Sequence, residues 1–517
     1  VDLADLAVFA FGPFVVLLLA TWAAGVDDTF ITLRYAANFV HGHGLVFNPG
    51  VPVQGFTSPL GLVMAIGAYL LPGGHAFFKM KLASSVLAAL GIGASARLLA
   101  QFEPPRWAAR TCYLAVGSSW VVAYAAGNGL ETSLEMLLLT LVADAVLRHR
   151  EPRCNWRAAV LAALAVFTRI DAILPLTAMA VVDLALASAR PLTQRARWFA
   201  GALGALGATL LGELAYFHSL LPSTFYAKQR PLGSSLDAGI RYLWDAPSVL
   251  ETASHPTLVA LVAVVQLALL VLGVGALRRH RGAALLVAAV VGQVLFIVYA
   301  GGDWMIGDRF LAPVVPMLII VQVLGVSAAV AARGTRTRRR GVPLTRALLV
   351  VALVGAGVAP LAVAWHPVTQ ITNLSDAGLL AAGGDTNFSG VWAQLTDTLD
   401  CIPDGSVVAA SEVGYLGFER LGLRVIDLRG LNDLAIAKAA PAGTRSFYGV
   451  SDHSWYLSTD PIGRILLRIH PAVIVEFDSP PPAEVLGGTY RLAKIILHHF
   501  AFQYYVPTHS RTPPCLR

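Results

Sequence analysis

Val26-Asp27-Asp28-Thr29-Phe30-Ile31-Thr32-Leu33-Arg34-Tyr35 follows the first apolar span, Leu6 to Ala24. It places two adjacent carboxylates where a membrane helix would emerge. Ionised groups are costly inside hydrocarbon, so an acidic pair at such an edge is a site candidate by default. The plainer reading is a helix cap: Asp at the start of a short helix over Thr29 to Val40, stabilised by the helix dipole. The rest of the chain tips the balance toward a site.

The chain has 517 residues, 56% hydrophobic and 13% charged, where a soluble domain carries about 25% charged residues. With a mean hydropathy of +0.65 it reads as a polytopic α-helical membrane protein. The formal net charge of +7 does not imply nucleic acid, because Lys and Arg cluster in short loops between apolar runs, as the positive-inside rule expects. Cys112, Cys154, Cys401 and Cys515 show no zinc-type spacing, and no solenoid repeat is visible. The first span lacks a basic flank and follows Asp2 and Asp5, which argues against a cleaved signal peptide.

A helix needs about 20 apolar residues to span a bilayer. The apolar runs are 6–24, 57–72, 79–100, 110–126, 131–147, 157–168, 172–187, 198–217, 256–277, 283–300, 310–331 and 347–365. Arginine marks the loops after 79–100 (Arg106, Arg110), 131–147 (Arg148, Arg150, Arg153, Arg157), 172–187 (Arg190, Arg195, Arg197), 256–277 (Arg278, Arg279, Arg281) and 310–331 (Arg333, Arg336, Arg338, Arg339, Arg340, Arg346). If these loops are cytoplasmic they alternate with basic-poor ones. Parity then forbids 57–72 to cross. That run is short, holds Pro59 and Pro72, and reads as a re-entrant or interfacial hairpin. About eleven transmembrane helices remain, with the N-terminus cytoplasmic. The expected division is a transmembrane region 1–365, with a first external loop at 25–78, and a soluble extracytoplasmic domain at 366–517.

This topology gathers polar clusters on the outer face: Asp27, Asp28 and Arg34; Asn128-Gly129-Leu130-Glu131; Thr168-Arg169-Ile170-Asp171; Leu221-Pro222-Ser223-Thr224-Phe225-Tyr226-Ala227-Lys228; and Gly301-Gly302-Asp303-Trp304-Met305-Ile306-Gly307-Asp308-Arg309. Each has a plainer reading. Glu131 caps a helix, Arg169 with Asp171 and Asp303 with Arg309 form structural ion pairs, and Lys228 snorkels. Jointly they describe a mixed acidic and basic cavity. Such a cavity can hold the phosphate of a lipid-linked donor while a carboxylate works on an acceptor hydroxyl.

Asp27-Asp28 with Phe30 and Arg34, then Gly42-His43-Gly44-Leu45-Val46-Phe47-Asn48-Pro49-Gly50 and Gly55-Phe56-Thr57-Ser58, resemble the first periplasmic loop of GT-C glycosyltransferases. Gly129-Leu130-Glu131-Thr132, Leu221 to Lys228, Gly301 to Met305 with Arg309, Ser411-Glu412-Val413-Gly414-Tyr415, Val425-Ile426-Asp427-Leu428 and Gly430-Leu431-Asn432-Asp433 are similar to one branch, the terminal β-(1→2) arabinofuranosyltransferases of mycobacteria and their relatives. The resemblance implies an integral-membrane enzyme acting in cell-wall biogenesis, on arabinogalactan or lipoarabinomannan. It would move a sugar from a polyprenyl-phosphate donor to a cell-envelope glycan. Asp27 or Asp28 would be the base that takes the acceptor proton, with inversion at the anomeric carbon. Arg34, Lys228, Arg309 and Arg169 would meet the donor phosphate. Glu131, Asp171 and Asp303 would orient sugar hydroxyls, with Trp304 and Tyr226 stacking on sugar or anchoring a helix end. A phosphate leaving group met by cations needs no second carboxylic acid, unlike hydrolysis. Two carboxylates are sparse for Mg²⁺ or Ca²⁺, so no metal is expected, and His41 and His43 stay outside the site. Relatives with the same motifs can use other sugars, such as mannose.

Residues 366–517 have ordinary polarity. Short β-rich runs (Val407 to Ser411, Leu423 to Asp427, Ala472 to Phe477) alternate with helix-like stretches (Val391 to Leu399, Pro461 to Ile469), which predicts a small α/β domain. Cys401 and Cys515 fall in the oxidising compartment, where a disulfide is plausible, while Cys112 and Cys154 are expected to stay thiols. No catalytic constellation is legible within the tail. Asn373-Leu374-Ser375 and Asn387-Phe388-Ser389 match the N-glycosylation pattern, which carries little weight. A lipid-linked-sugar transporter or flippase is the rival reading. It predicts polar groups near the midplane and repeated halves, and neither is visible. A structural scaffold leaves the acidic pair without a purpose.

Overall fold

The computed structural model describes residues 1–22, 25–148, 155–186, 192–245, 256–275, 280–303, 305, 308–334, 395–439, 445–446, 449–450, 458–477, 484–497 and 501–517. In chain order the helices are α1 (Leu3–Ala20), α2 (Asp27–Val40), α3 (Pro59–Leu70), α4 (Ala76–Ala100), α5 (Arg106–Gly117), α6 (Trp120–Gly127), α7 (Thr132–Arg148), α8 (Asn155–Thr168), α9 (Ile173–Ala185), α10 (Leu192–Phe217), α11 (Ser223–Ala227), α12 (Leu232–Asp245), α13 (Pro256–Gly275), α14 (Ala283–Ala300) and α15 (Val315–Gly334). The tail adds β1 (Val407–Ala410), α16 (Gly414–Glu419), β2 (Arg424–Asp427), α17 (Leu434–Ala439), β3 (Arg445–Ser446), β4 (Gly449–Val450), α18 (Pro461–Ile469), β5 (Val473–Phe477), β6 (Glu484–Val485), β7 (Tyr490–Leu497) and β8 (Ala501–Pro507). The chain divides into two compact units: Val1–Ala24, Lys81–Thr209 and Gly233–Thr372 in one, Gly25–Met80, Leu210–Leu232 and Asn373–Arg517 in the other.

The first unit is a helical bundle. Among the described residues, five helices are long and apolar enough to cross a membrane: α1, α4, Ala196–Phe217 of α10, α14, and Ala312–Ala332, which takes in most of α15. The run 110–126 breaks into α5 and α6, where Ser119 caps the second helix by accepting the Val122 N–H (3.5 Å). The runs 157–168 and 172–187 give helices of 14 and 13 residues. The run 347–365 and the glycosylation-type sites lie outside the described residues. Small residues let backbones approach. A Cβ at Gly292 of α14 would lie 2.6 Å from the Pro175 backbone on α9, and one at Gly325 of α15 would lie 2.3 Å from the Leu272 backbone on α13.

Ion pairs show which helix ends meet within this unit. Arg106 and Arg110, at the start of α5, bond Asp5 at the start of α1. Arg97 near the end of α4 and Arg148 at the end of α7 share the buried Asp144. Glu131 before α7 meets Arg169 after α8 (3.0 Å). These contacts fit alternating directions for α1, α4, α5, α7 and α8.

In the second unit, the run 57–72 forms the single helix α3 rather than a hairpin. Its 12 residues are too few to cross a bilayer. The tail packs with the first loop in this unit. Its α/β sheet has the order β2-β1-β5-β8-β7-β6, with β2, β1 and β5 parallel and the rest antiparallel. One core joins Phe30, Phe47 and Phe77 of the first loop to Leu416, Val425, Val408 and Tyr504 of the tail. Cys401 and Cys515 form a disulfide, and Cys112 is a buried thiol; Cys154 lies outside the described residues.

Arg34 is the centre of that join and is fully buried. Its Nε donates to Phe47 O (2.6 Å), one terminal nitrogen to Gly417 O and to Arg420 O (3.5 Å), the other to Asn48 Oδ1 (3.2 Å) and Leu423 O (2.8 Å). All five N–H donors of a guanidinium are used. Arg34→Met should therefore lower stability by at least about 3 kcal/mol, since buried acceptors lose their donors. Arg34→Lys should rescue little, with three donors in a different geometry. Thermal unfolding in detergent measures both.

Candidate active site

In open α/β sheets, ligands bind beyond the carboxyl ends of the parallel strands. Here β1 ends at Ala410 and leads into Ser411-Glu412, while β2 ends at Asp427 and leads into Arg429. Glu412 Oε1 and a terminal nitrogen of Arg429 are 2.9 Å apart, and Arg429 Nε donates to Ser411 O (3.0 Å). Asp427 is fully buried. One of its oxygens accepts the Arg429 N–H (2.9 Å), the other the backbone (2.8 Å) and side-chain (3.0 Å) N–H of Asn432. It thereby shapes the turn that carries Arg429.

The acidic pair of α2 reaches this edge. Asp27 accepts the Gly414 N–H on one oxygen (2.7 Å) and the Tyr415 N–H on the other (2.8 Å), at the start of α16. A carboxylate is well placed at the positive end of a helix. A Cβ at Gly414 would lie 2.0 Å from Asp27 O, so only glycine allows this approach. Asp28, the next residue, is half-buried. Asp27 therefore caps a helix, though α16 of the tail and not its own.

Burial pushes Asp27 up to about 6, against the two backbone hydrogen bonds that lower it. Burial likewise raises Asp427 to about 6, against its bonds to Asn432 and Arg429. Glu412 is pushed up to about 8. Burial is the main cause; Arg429 pulls down, and Asp27, Asp28 and Asp427 push further up. Glu412, Asp427 and Arg429 are the site candidates that sequence reasoning missed. Their signal was their place directly after two predicted β-runs.

In the first unit, Arg169 is ringed by acids. One terminal nitrogen meets Glu131 Oε1 (3.0 Å), the other Asp171 Oδ1 (3.1 Å), and Nε faces Asp171 Oδ2 (3.3 Å) and Glu135 Oε2 (3.6 Å). Burial alone would lower its pKa, but Asp171, Glu131 and Glu135 reverse the sign and raise it. Arg309 Nε lies 2.7 Å from Asp303 Oδ2. The Phe310 ring lies 5.2 Å from the Arg169 guanidinium carbon and 5.1 Å from that of Arg309.

The residues assigned to the donor phosphate have partners of their own. Arg34 has spent every donor on carbonyl and amide oxygens. Arg169 and Arg309 are paired with carboxylates, so an incoming phosphate would compete with Glu131, Asp171 and Asp303. Those three acids, assigned to sugar hydroxyls, are likewise engaged in ion pairs. Lys228 is exposed just after α11. That segment is fixed by Ser223, which bonds Gln54 O (2.9 Å) and Leu431 O. Tyr226 lies under the Lys438 ammonium at 5.0 Å. Trp304 lies outside the described residues. Among the described residues, no group of three or more His, Cys, Asp or Glu side chains is arranged to hold a metal.

The chain is similar in fold to the oligosaccharyltransferase of Archaeoglobus fulgidus in its apo form, with TM-score 0.52 and 12% identity over 90% of this chain and 69% of that one. The same enzyme tethered to an acceptor peptide containing the NVT sequon gives 0.52 and 11%, over 90% and 68%. ArnT from Cupriavidus metallidurans in the apo state gives 0.49 and 13%, over 95% and 97%. Residues 386–512 match a family described as a domain of unknown function, DUF8728. No curated protein matches.

Two outcomes follow. A carboxyl whose folded pKa is raised binds its proton more tightly when folded, so its contribution is intact below the ordinary value and is lost as pH rises through the folded one. The second unit should therefore lose stability from about pH 4 to about 8, with Glu412 governing the part above pH 6. Glu412→Gln should flatten the melting temperature between pH 6 and 8. Separately, Arg169→Gln strands buried carboxylates and should cost about 3–5 kcal/mol, with Arg169→Gln/Glu131→Gln recovering part of it in a double-mutant cycle of melting temperatures.

Proposed function

We propose that this chain is an inverting glycosyltransferase. It takes a sugar, arabinofuranose in the first instance, from a polyprenyl-phosphate donor to a hydroxyl of a cell-envelope glycan at the outer membrane face. The observation that carries the proposal is the acidic edge of the second unit. There Asp27 and Asp28 of the first loop meet the carboxyl ends of the tail's parallel strands through the Asp27 bonds to Gly414 and Tyr415. The shared fold supports the reaction class. The arabinosyl choice rests on the motif resemblance alone, and a mannose-like donor is the alternative.

Of the pair, Asp28 is the base. Both oxygens of Asp27 hold backbone amides, which suits positioning. The acceptor O–H gives its proton to Asp28 as its oxygen attacks the anomeric carbon. The bond from that carbon to the donor phosphate oxygen breaks, and polyprenyl phosphate leaves with the electron pair. Attack opposite the leaving group inverts the centre. Lys228 supplies positive charge for the phosphate, and the Glu412–Arg429 pair contacts acceptor hydroxyls. The proposal includes about eleven spans, a cytoplasmic N-terminus and an extracytoplasmic tail, supported by the alternating helices and by the Cys401–Cys515 disulfide. Against the transporter reading, the first unit's acid–base cluster lies at helix ends.

The test offers purified protein radiolabelled decaprenyl-phosphoryl arabinose and short arabinan acceptors. Asp28→Asn should lower transfer at least about 100-fold with the melting temperature kept, whereas Asp27→Asn should lower the melting temperature as well. Wild-type transfer from another polyprenyl-phosphate sugar only would replace arabinose. Undiminished transfer by Asp28→Asn would remove the base.

A further inference from the structure

The helix α12 matches no apolar run of the sequence, yet it carries three distinct faces. At 100° per residue, Ser235, Ala238, Gly239 and Tyr242 fall on one sector, Leu232, Leu236, Ile240 and Trp244 on a second, and Ser234, Asp237 and Arg241 on a third. The first sector is turned to the protein. A Cβ at Gly239 would lie 2.5 Å from the Val298 backbone near the end of α14. Tyr242 is buried against Gly302, and its hydroxyl accepts the Phe310 N–H (3.4 Å). The third sector is polar, and its Asp237 and Arg241 pair at 2.6 Å.

The second sector is apolar and bare. Leu232 is 61% exposed, Leu236 37%, Ile240 59% and Trp244 51%. A water-facing helix would not hold four large apolar side chains in one row beside an ion pair. Helix α14, on which α12 sits, is long and apolar enough to cross a membrane. Its own outward row, Val291, Leu295 and Tyr299, is exposed too. Val298, where Gly239 docks, adjoins that row on the helical wheel. The bare face of α12 therefore continues a surface that only lipid can cover in a spanning helix.

We infer that α12 is an in-plane membrane helix whose Leu232, Leu236, Ile240 and Trp244 face rests in the phospholipid interface at the Gly301–Gly302 end of α14. Helices with an apolar face, a charged face and moderate overall hydropathy lie in this plane, and tryptophan favours that depth. Tyr242 then links lipid contact to the Phe310 segment, whose ring stands between Arg169 and Arg309. The inference does not depend on the transferase reading.

Full-length protein with Cys154→Ser is placed in phosphatidylcholine nanodiscs free of any polyprenyl phosphate. Single cysteines replace Leu236, Ile240, Asp237 or Arg241, each carrying an environment-sensitive fluorophore. All four positions are exposed, so folding is retained, and melting temperature confirms it. Spin-labelled phospholipid should quench positions 236 and 240 at least about threefold more than 237 and 241, with aqueous iodide giving the reverse order. Equal iodide quenching at all four, with none from lipid, would overturn the inference. So would protection of 236 and 240 from both quenchers, because that marks a protein partner on the face.

Discussion

The second unit depends on a guanidinium that, among the described residues, is buried without an ion-paired partner. Arg34 is met there by carbonyl dipoles and an amide oxygen, and burial lowers its pKa to about 10. Burying a charge in this way is costly unless every donor is satisfied. The acceptors come from Phe47 and Asn48 in the first loop and from Gly417, Arg420 and Leu423 in the tail. Neither segment can satisfy Arg34 alone. The first loop and the tail are thus obliged to fold together, and the compact unit crosses the boundary that hydropathy draws near residue 365.

This constraint sets the register of the acidic edge. With Arg34 fixed on the carbonyls around the end of α16, Asp27 lies two helical turns back along α2 and meets the start of α16. That start lies just beyond the end of β1. Glu412 is two residues before Gly414 and is carried to the same edge. Asp27 and Asp28 are 100° apart on the helix, so the two side chains leave α2 in different directions.

Local patterns made part of this legible. Val407 to Ser411, Leu423 to Asp427 and Ala472 to Phe477 become β1, β2 and β5 because apolar β-branched runs between turn residues have few other stable states. Pro461 to Ile469 becomes α18, with Pro at its first turn. Pairings of Arg34 across 383 to 389 residues leave no trace in periodicity. The ring of Glu131, Glu135 and Asp171 around Arg169 likewise closes only in three dimensions. The break at Ser118-Ser119 escaped hydropathy because Trp120 to Ala126 is as apolar as the residues before it. The helix α12 escaped because its apolar residues recur every fourth position within a polar stretch.

The protonation state of Glu412 brings the edge together. An ionised glutamate is an acceptor only, whereas a protonated one donates. Beside Arg429 alone it would ionise readily. Burial, with Asp27, Asp28 and Asp427 nearby, outweighs that pull and leaves it protonated near neutrality. Like charges gathered in one place force one member to keep its proton, and environments that push neighbouring acids apart in pKa are how one site holds both a base and a donor. Asp27 and Asp427, raised only to about 6, remain ionised at the pH where Glu412 does not. The first loop and the tail bring carboxyls of different protonation tendency to one edge, and the bonds of Arg34 and Asp27 hold them in place.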